Sequence, residues 1–319
     1  MNWPVMHDKV RDVWNKIGKK CHNWTLYFDK FIDATQKNVN ELKAVIANYN
    51  ASDELPDISD ELPDIEVIRQ LAIDSRIRMF NAMAEAQPDT VKLLFLRNTS
   101  RLIVQMARPN PLENTGVSFE KITGLPMVRG TAVKGSVSTY ATWKANGTLI
   151  FRDPENIETD RKRLDDGILA EIFGANAGDA AAGKVVFYGL FPLSNPCLEL
   201  DILTPHPAPS GDLREKVNPH VFLAIGAGTF WLCPLRLVRD ARVELLEYAA
   251  ELIAEALRDN GLGAKTAAGY GRFELVDPET TPELQELWNR EKERSARLRA
   301  EKENRKREEE ARKREEEAR

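Results

Sequence analysis

The glycine-rich stretch Gly261-Leu262-Gly263-Ala264-Lys265-Thr266-Ala267-Ala268-Gly269-Tyr270-Gly271-Arg272-Phe273 joins a predicted helix to a predicted strand. Its glycines permit backbone conformations that other residues avoid, and their missing side chains leave backbone N–H groups open to an anion. Lys265 and Arg272 add two cations. We call residues 261–273 the glycine loop and interpret it as a candidate anion site.

The elements on either side define the type of loop. Over residues 241–257 the apolar positions recur at helical spacing on one stripe, formed by Leu245, Leu246, Ala249, Leu252, Ile253, Ala256 and Leu257. Asn260 and Gly261 are typical of a helix C-terminus, and the apolar residues 273–276 indicate a strand. The predicted order is therefore helix, glycine loop, strand.

Two common nucleotide-binding motifs do not fit this chain. Both follow a strand and open a helix, whereas the glycine loop follows a helix. In the dinucleotide pattern Thr266 stands where the third glycine belongs, and the P-loop-like run that ends in Lys184 is followed by Val185, which has no hydroxyl for magnesium. A nucleotide-dependent enzyme is disfavoured, and no cofactor is predicted.

Composition and length are those of a globular protein. The chain has 319 residues, 42% of them hydrophobic, which can bury one large core or two modest ones. No apolar run approaches the ~20 residues that span a bilayer, and the N-terminus lacks a signal-peptide pattern, so we expect a cytoplasmic protein with no membrane partner. Three scattered cysteines and four histidines form no metal-ligand pattern; we predict no metal site, and buried apolar roles for Cys197 and Cys233.

The net charge of −5 averages over segregated charges. Residues 52–66 carry a tandem Asp-Glu-Leu-Pro-Asp-Ile repeat, which we expect to form an acidic, mobile loop. Cations occur elsewhere, at Arg97, Arg101, Arg108, Arg129, Lys134, Lys265 and Arg272. If they converge, they form the locally basic groove that nucleic-acid binding requires.

Residues 1–91 are predicted to form a helical N-terminal extension. It contains Trp3, Trp14 and Trp24, for which we expect core or subunit contacts. Within it, residues 65–86 are predicted as an amphipathic helix whose near-helical stripe comprises Ile68, Leu71, Ala72, Ser75, Met79 and Met83.

Residues 92–278 have the pattern of an α+β domain. A strand is predicted over 92–108, then a helix over 132–143 with Thr131 as its N-cap, then a poorly patterned stretch over 146–183. Strands are predicted over 185–191, 197–203, 221–225 and 229–237, and Pro234 indicates an edge position or a bulge. With the last helix and strand this is the split βαβ order of a ferredoxin-like fold with an inserted loop, whose sheet face binds RNA in many proteins.

Residues 279–319 are predicted to form a charged, solvated helical tail. It almost lacks the a/d apolar residues of a coiled coil, and pairs such as Glu303 and Arg307 have the acidic member first, which stabilises an isolated helix by about 0.2–0.5 kcal/mol per pair. A lone charged helix is the simplest interpretation, with a contact to nucleic acid or a partner as the alternative.

Several segments resemble the RAMP proteins of CRISPR systems. The glycine loop is similar to their signature loop, and residues 124–135 resemble their Pro-x-x-Pro-Gly-Ser-Ser-Leu-Lys-Gly motif at the start of a helix. Residues 172–174, 183–187, 200–206 and 222–230 resemble the sixth subunit of the type III-B (Cmr) effector complex more closely than other RAMPs. The resemblance covers about residues 95–276. Residues 127–129 depart from the usual pattern, and the loop over 205–219 is short for a hairpin that inserts into a guide–target duplex.

The resemblance implies a non-catalytic subunit that binds guide RNA toward its 3′ part and caps the backbone filament. Its expected partners are guide RNA, with target RNA as a further candidate, and the backbone and terminal RAMP subunits. On physical grounds the amides of the glycine loop would approach phosphates, which suits a protein that must accept any guide sequence. Lys134, in the first turn of its helix, is better explained by an external anion than by the helix dipole.

The predicted RNA-binding residues come from both loops and from the inserted segment: Arg129, Lys134, His206, Gly261, Gly263, Lys265, Thr266, Gly269, Tyr270, Gly271 and Arg272. Tyr270 is a candidate for stacking on a base, and Phe273 for the core. The alternative function is a metal-independent endoribonuclease that processes guide precursors, with His206, His220 and Tyr270 as its acid–base candidates.

Overall fold

The computed structural model describes residues 65–104, 116–146, 166–175, 181–203 and 220–317. The N-terminal tryptophans, most of the acidic repeat, Arg108 and His206 lie outside these ranges. Among the described residues, no helix has both the length and the apolarity to cross a membrane.

The described residues form a mixed α+β fold, which confirms the predicted class. In chain order the helices are α1 (Ile65–Ala86), α2 (Gly130–Ala145), α3 (Asp166–Phe173), α4 (Glu244–Asp259) and α5 (Pro282–Glu317). The strands are β1 (Val91–Asn98), β2 (Val128–Arg129), β3 (Val185–Phe187), β4 (Gly189–Pro192), β5 (Leu198–Leu203), β6 (His220–Ile225), β7 (Phe230–Leu237) and β8 (Phe273–Val276).

The main sheet is antiparallel and has the order β2-β4-β7-β1-β8, with β3 also paired to β7. The strands β5 and β6 form a separate hairpin, in which Asp201 lies opposite Phe222. The hairpin lies between β4 and β7 in the chain, and the predicted inserted loop that joins its two strands lies outside the described residues.

Helices cover both faces of the main sheet. On one face α2 and α4 pack against side chains such as Trp231 and Leu96, and the apolar stripe predicted for α4 is entirely buried there. On the other face α1 and the first turns of α5 pack against Phe95 and Leu232. Each strand thus alternates its side chains between two cores, as the two-residue period of a strand requires.

Pro234 lies in a central strand, so an edge position is wrong. The irregularity is in the facing strands: β3 ends at Phe187, which pairs with Leu235, and pairing resumes at Phe191 with Leu232. Between these two pairs, three residues of the facing chain lie opposite two residues of β7, and the additional residue forms a bulge. Since a proline cannot donate to the sheet, its place opposite an interrupted ladder is compatible with a central strand.

Two helices differ from what the sequence periodicity predicted. In α1 the buried stripe is Arg69, Ile73, Ile77 and Phe80. Ala72 and Met83 of the predicted stripe pack against the same core, whereas Leu71, Ser75 and Met79 are exposed, so the prediction is wrong at these three positions. The helix α3, within the stretch that lacked a clear pattern, was not predicted. The sequence does indicate this helix, because the apolar pairs Ile168-Leu169 and Ile172-Phe173 are four residues apart, the spacing of one helix face.

The first strand and the first turns of the tail also differ from the predictions. β1 ends at Asn98, and within 99–104 only the bridge of Leu102 to Ile225 continues the pairing. In α5, Leu284 is buried and Trp288 packs edge-on against Phe95 at 5.1 Å, so the base of the charged tail is packed on the sheet and is not solvated. Further along α5 the predicted Glu303 and Arg307 pair forms, at 2.6 Å.

Candidate anion-binding site

The glycine loop begins where α4 ends. Asn260 and Gly261 both donate N–H groups to the Ala256 carbonyl at 2.9 Å, and Gly261 turns the chain at φ +79°. The Leu262 N–H then donates to the Gly271 carbonyl at 2.8 Å and closes the loop at its base. At Gly271 (φ +68°) a Cβ would lie 1.9 Å from the Leu262 oxygen, so this closure requires glycine.

The loop lies against the chain that leaves β1. Ala264 donates its N–H to the Ile103 carbonyl at 2.9 Å, and Gly271 donates to the Arg101 carbonyl at 2.8 Å. A Cβ on Gly263 would lie 2.2 Å from the same Ile103 oxygen. These glycines therefore have structural roles, and their amides are not equally available to a ligand.

The amides that stay available cluster around Lys265. This residue is left-handed (φ 59°, ψ 29°) and is followed by the 3₁₀ turn Thr266–Ala268, a sequence of conformations that points successive N–H groups to one side. Ala268 and Gly269 donate within the turn. Within the described part of the chain, the amides of residues 265–267 donate to no protein acceptor; we call them the 265–267 amides.

The side chain of Lys265 rests on the β5–β6 hairpin. Its Nζ lies 5.7 Å from the centre of the Phe222 ring, a cation–π contact, and the described residues include no ion-pair partner for it. Lys265 is half-buried, and its backbone N–H is one of the 265–267 amides. This is the strongest local combination for an anion that the described residues offer.

Arg272 and Tyr270, in contrast, hold the loop together. The Arg272 guanidinium donates to the carbonyls of Asp259, at the end of α4, and of Thr266, the latter at 3.2 Å. The Tyr270 hydroxyl donates to Asp201 of the hairpin, and this hydrogen bond raises the pKa of the phenol. Base stacking by Tyr270 would have to coexist with this contact.

Arg101 is neutralised by the hairpin. Its Nε donates to Glu199 at 2.5 Å and its Nη1 to Asp201 at 3.0 Å, and the hydrogen bond to Glu199 is the main reason that the pKa of Arg101 is raised. Arg97 is also paired, with Glu274 at 3.5 Å. Of the cations named from the sequence that the structure describes, these two are therefore held by carboxylates and do not contribute to a basic groove.

The start of α2 is the second part of the candidate site. Arg129, exposed and extended (φ −69°, ψ 144°), is the N-cap without a side-chain cap, so the prediction of Thr131 as N-cap is wrong. No acidic residue occupies the first turn, and Lys134 is half-buried there. The Ser136 hydroxyl donates to the Gly261 carbonyl at 3.0 Å, which joins α2 to the glycine loop.

The other predicted residues are placed as follows. Gly269 (φ +90°) is exposed, and a Cβ there would meet nothing within 4 Å. His206 lies outside the described residues, and His220 begins β6 with its backbone paired to Leu203. Phe273 is buried as predicted, and so is Cys233, whereas Cys197 is exposed. Sequence reasoning missed Asp201 and Phe222, since only the hairpin register brings them to the loop.

The structure is thus an α+β domain with an antiparallel sheet covered by helices on both faces, and its glycine loop joins α4 to the edge strand β8. The chain belongs to the RAMP superfamily, whose residue pattern matches residues 65–274. It is similar to the CRISPR system Cmr subunit Cmr6 of Pyrococcus furiosus, with 37% identity over 232 residues. That similarity covers 56% of this chain and 66% of the relative, so the chain spans slightly less than two thirds of the relative's length.

Solved structures add a likeness of fold. A chain of the Type III-B Cmr-beta complex bound to cognate target RNA, determined by cryo-electron microscopy, matches with a TM-score of 0.51 and 15% identity, over 83% of this chain and 94% of that one. The crystal structure of Cmr6 from Pyrococcus furiosus matches with a TM-score of 0.38 and 25% identity, over 59% and 98%.

Proposed function

We propose that this protein is a non-catalytic, RNA-binding subunit of a type III-B CRISPR effector complex. In this proposal it binds the backbone of the guide RNA toward the 3′ part, caps the backbone filament, and contacts backbone and terminal RAMP subunits. The similarity to Cmr6 supports the assignment to the complex, and the fold shared with a Cmr chain is compatible with it.

The observation that carries the RNA-binding role is the set of 265–267 amides in the same turn as Lys265, whose ammonium has no ion-pair partner among the described residues. Backbone N–H groups with one cation suit a phosphate and do not read bases. The uncapped start of α2, with Arg129 and Lys134, adds a second set of donors that Ser136 joins to the loop. Target RNA is a further candidate ligand within the same proposal.

The domain is proposed to be ferredoxin-like. With the hairpin and the short elements β2, α3 and β3 set aside, the chain order is β1, α2, β4, β7, α4 and β8, and the strand order β4-β7-β1-β8 supports this assignment. The sheet face that carries RNA in many such domains is covered here by α1 and α5. RNA is therefore assigned to the loops and not to the sheet.

A subunit of a larger assembly needs an apolar surface for its partners. On α1 the outward residues Val67, Leu71 and Met79 are each about half exposed and lie four or eight residues apart along one side of the helix. This stripe supports the expected contact of the N-terminal helical layer with other RAMP subunits.

The hydrogen bond of the Tyr270 hydroxyl favours the hypothesis of a non-catalytic subunit over that of an endoribonuclease. Its hydroxyl already donates to Asp201, and the raised pKa of the phenol makes it a poorer general base. Cleavage of precursor RNA by the purified chain would overturn this part of the proposal.

The proposal is tested by reconstituting the Cmr complex with the chain and crosslinking a photoreactive group at position 265 to guide RNA. We expect a crosslink in the 3′ part of the guide. A matched pair of variants, Lys265→Glu and Lys292→Glu, makes the same charge change in the loop and on α5. Only Lys265→Glu should weaken guide binding; equal effects, or no assembly of the wild-type chain into the complex, would contradict the proposal.

A further inference from the structure

The β5–β6 hairpin has two different faces. Leu198, Leu223 and Ile225 point into the main core, whereas Phe222 and Ala224 form a small cluster with Ile103, Ala264 and Tyr270. Glu199 and Asp201 share the second face, because they lie opposite Ala224 and Phe222 in the register. The hairpin is thus the surface on which the glycine loop rests.

Asp201 is the polar centre of this contact. Its Oδ2 accepts from the Tyr270 hydroxyl and from Nη1 of Arg101, and its Oδ1 accepts from the Ile202 N–H at 2.8 Å. The two long-range donors come from the two chain segments that hold the turn: Tyr270 follows it directly, and Arg101 offers its carbonyl to Gly271. One carboxylate therefore joins the hairpin to both sides of the glycine loop.

We propose that Asp201 is a positioning residue of the anion site: through Tyr270 and Arg101 it sets the place of the 265–267 amides and of Lys265 on the hairpin. This inference rests on the proposed RNA-binding function. Asp201 touches no RNA in this role. The Asp201 carboxylate contributes to anion binding indirectly, by orienting the residues that donate to the anion.

The sign of a charge-removing variant separates positioning from simple electrostatics. A carboxylate close to a bound phosphate repels it, so its removal should raise RNA affinity if charge alone matters. Positioning predicts the opposite for Asp201→Asn, because the amide holds Tyr270 and Arg101 less firmly. Glu199→Gln is the matched control: it removes the same charge, two residues away and beside the same Arg101, but Glu199 makes no contact with Tyr270.

The experiment measures guide-length RNA binding by the full chain in the reconstituted complex, with hydrogen exchange of residues 262–271 in the free chain as a second readout. We expect Asp201→Asn and Tyr270→Phe each to weaken binding by about tenfold or more, the size of a lost hydrogen bond to a charged group. Amide exchange of the glycine loop should rise in both variants. Glu199→Gln should keep or raise affinity, since it frees Arg101.

The double variant Asp201→Asn/Tyr270→Phe should bind no more weakly than Asp201→Asn alone, because that variant has already weakened the Tyr270 contact. Binding that rises in Asp201→Asn as in Glu199→Gln, additive losses, or unchanged loop exchange would overturn the positioning role. If the wild-type chain fails to bind RNA, the proposed function fails; if it binds and these variants bind equally well, only the positioning role fails.

Discussion

Gly271 and Gly135 differ in the space available for a Cβ atom. At Gly271 the backbone is left-handed and a Cβ would overlap the Leu262 carbonyl, whereas Gly135 lies within α2 with nothing within 4 Å. We expect Gly271→Ala to lower the free energy of unfolding by at least about 2 kcal/mol, from backbone strain and the clash. Gly135→Ala should raise it by about 0.5–1 kcal/mol. Urea unfolding checks both, and equal effects of the two variants would contradict the assigned geometry.

The charge state of Asp201 gives a pH dependence with a defined sign. Burial alone would raise the pKa of this carboxyl, but the hydrogen bonds from Tyr270 and Ile202 and the charge of Arg101 lower it. A carboxyl whose pKa is lowered in the folded state stabilises the fold above its ordinary pKa of about 3.9, and that stability is lost as the pH falls through the folded value.

Asp201→Asn should therefore lower the free energy of unfolding at pH 6–7, and its difference from the wild type should shrink below about pH 4. Chemical unfolding from pH 7 to pH 3 measures this difference. A gap that stays constant over that range would show that the ionised carboxylate contributes nothing to stability.

Sequence identified the glycine loop because glycine content, two cations and the flanking periodicity are all local signals. The roles within the loop could not be predicted in the same way. Arg272 is held by the Asp259 and Thr266 carbonyls, and Tyr270 by Asp201, a residue 69 positions away. Which amides stay available depends on such partners, so the site is smaller than its motif.

Among the elements, α4 was predicted well because its buried residues form one face with a regular helical period. The helix α1 was not, because its inner stripe includes Arg69, which is 1% exposed and donates from Nε to the Thr123 carbonyl at 3.2 Å. A pattern that counts only apolar residues cannot place a buried arginine. Apolar residues also occupy the outer face, so apolar periodicity alone does not identify which side of the helix is buried.

The base of α5 is an element of the core. Leu284 is 3% exposed and lies with Phe95 and Phe80 in the cluster on the second sheet face. We expect Leu284→Ala to lower the free energy of unfolding by about 2–4 kcal/mol, as for other large-to-small core changes. Leu275→Ala on β8, where the side chain is 55% exposed, is the control and should cost less than about 0.5 kcal/mol. Equal losses would mean that the helix is not docked on the sheet in solution.

For the whole molecule, the two covered faces of the sheet confine a nucleic acid to the ends of the strands and helices. The chain carries a net charge of −5, so its overall charge does not attract RNA and the proposed binding depends on a few local contacts. Arg101 and Arg97 are paired with carboxylates, which leaves Arg129, Lys134, Lys265 and the remaining donors of Arg272 as the proposed phosphate ligands.

This small number of ligands predicts a shallow dependence of RNA binding on salt. For single strands the slope of log K against log salt is about −0.7 per phosphate neutralised, so up to four contacts give a slope of about −3. Lys134→Gln should reduce its magnitude by about 0.7 and weaken binding equally for different guide sequences. Lys292→Gln, which loses the same charge on α5, should leave the slope unchanged, because Lys292 pairs with Glu279 away from the loops. A slope steeper than about −6, or one that Lys134→Gln leaves unaltered, would mean that the RNA follows another surface of the molecule.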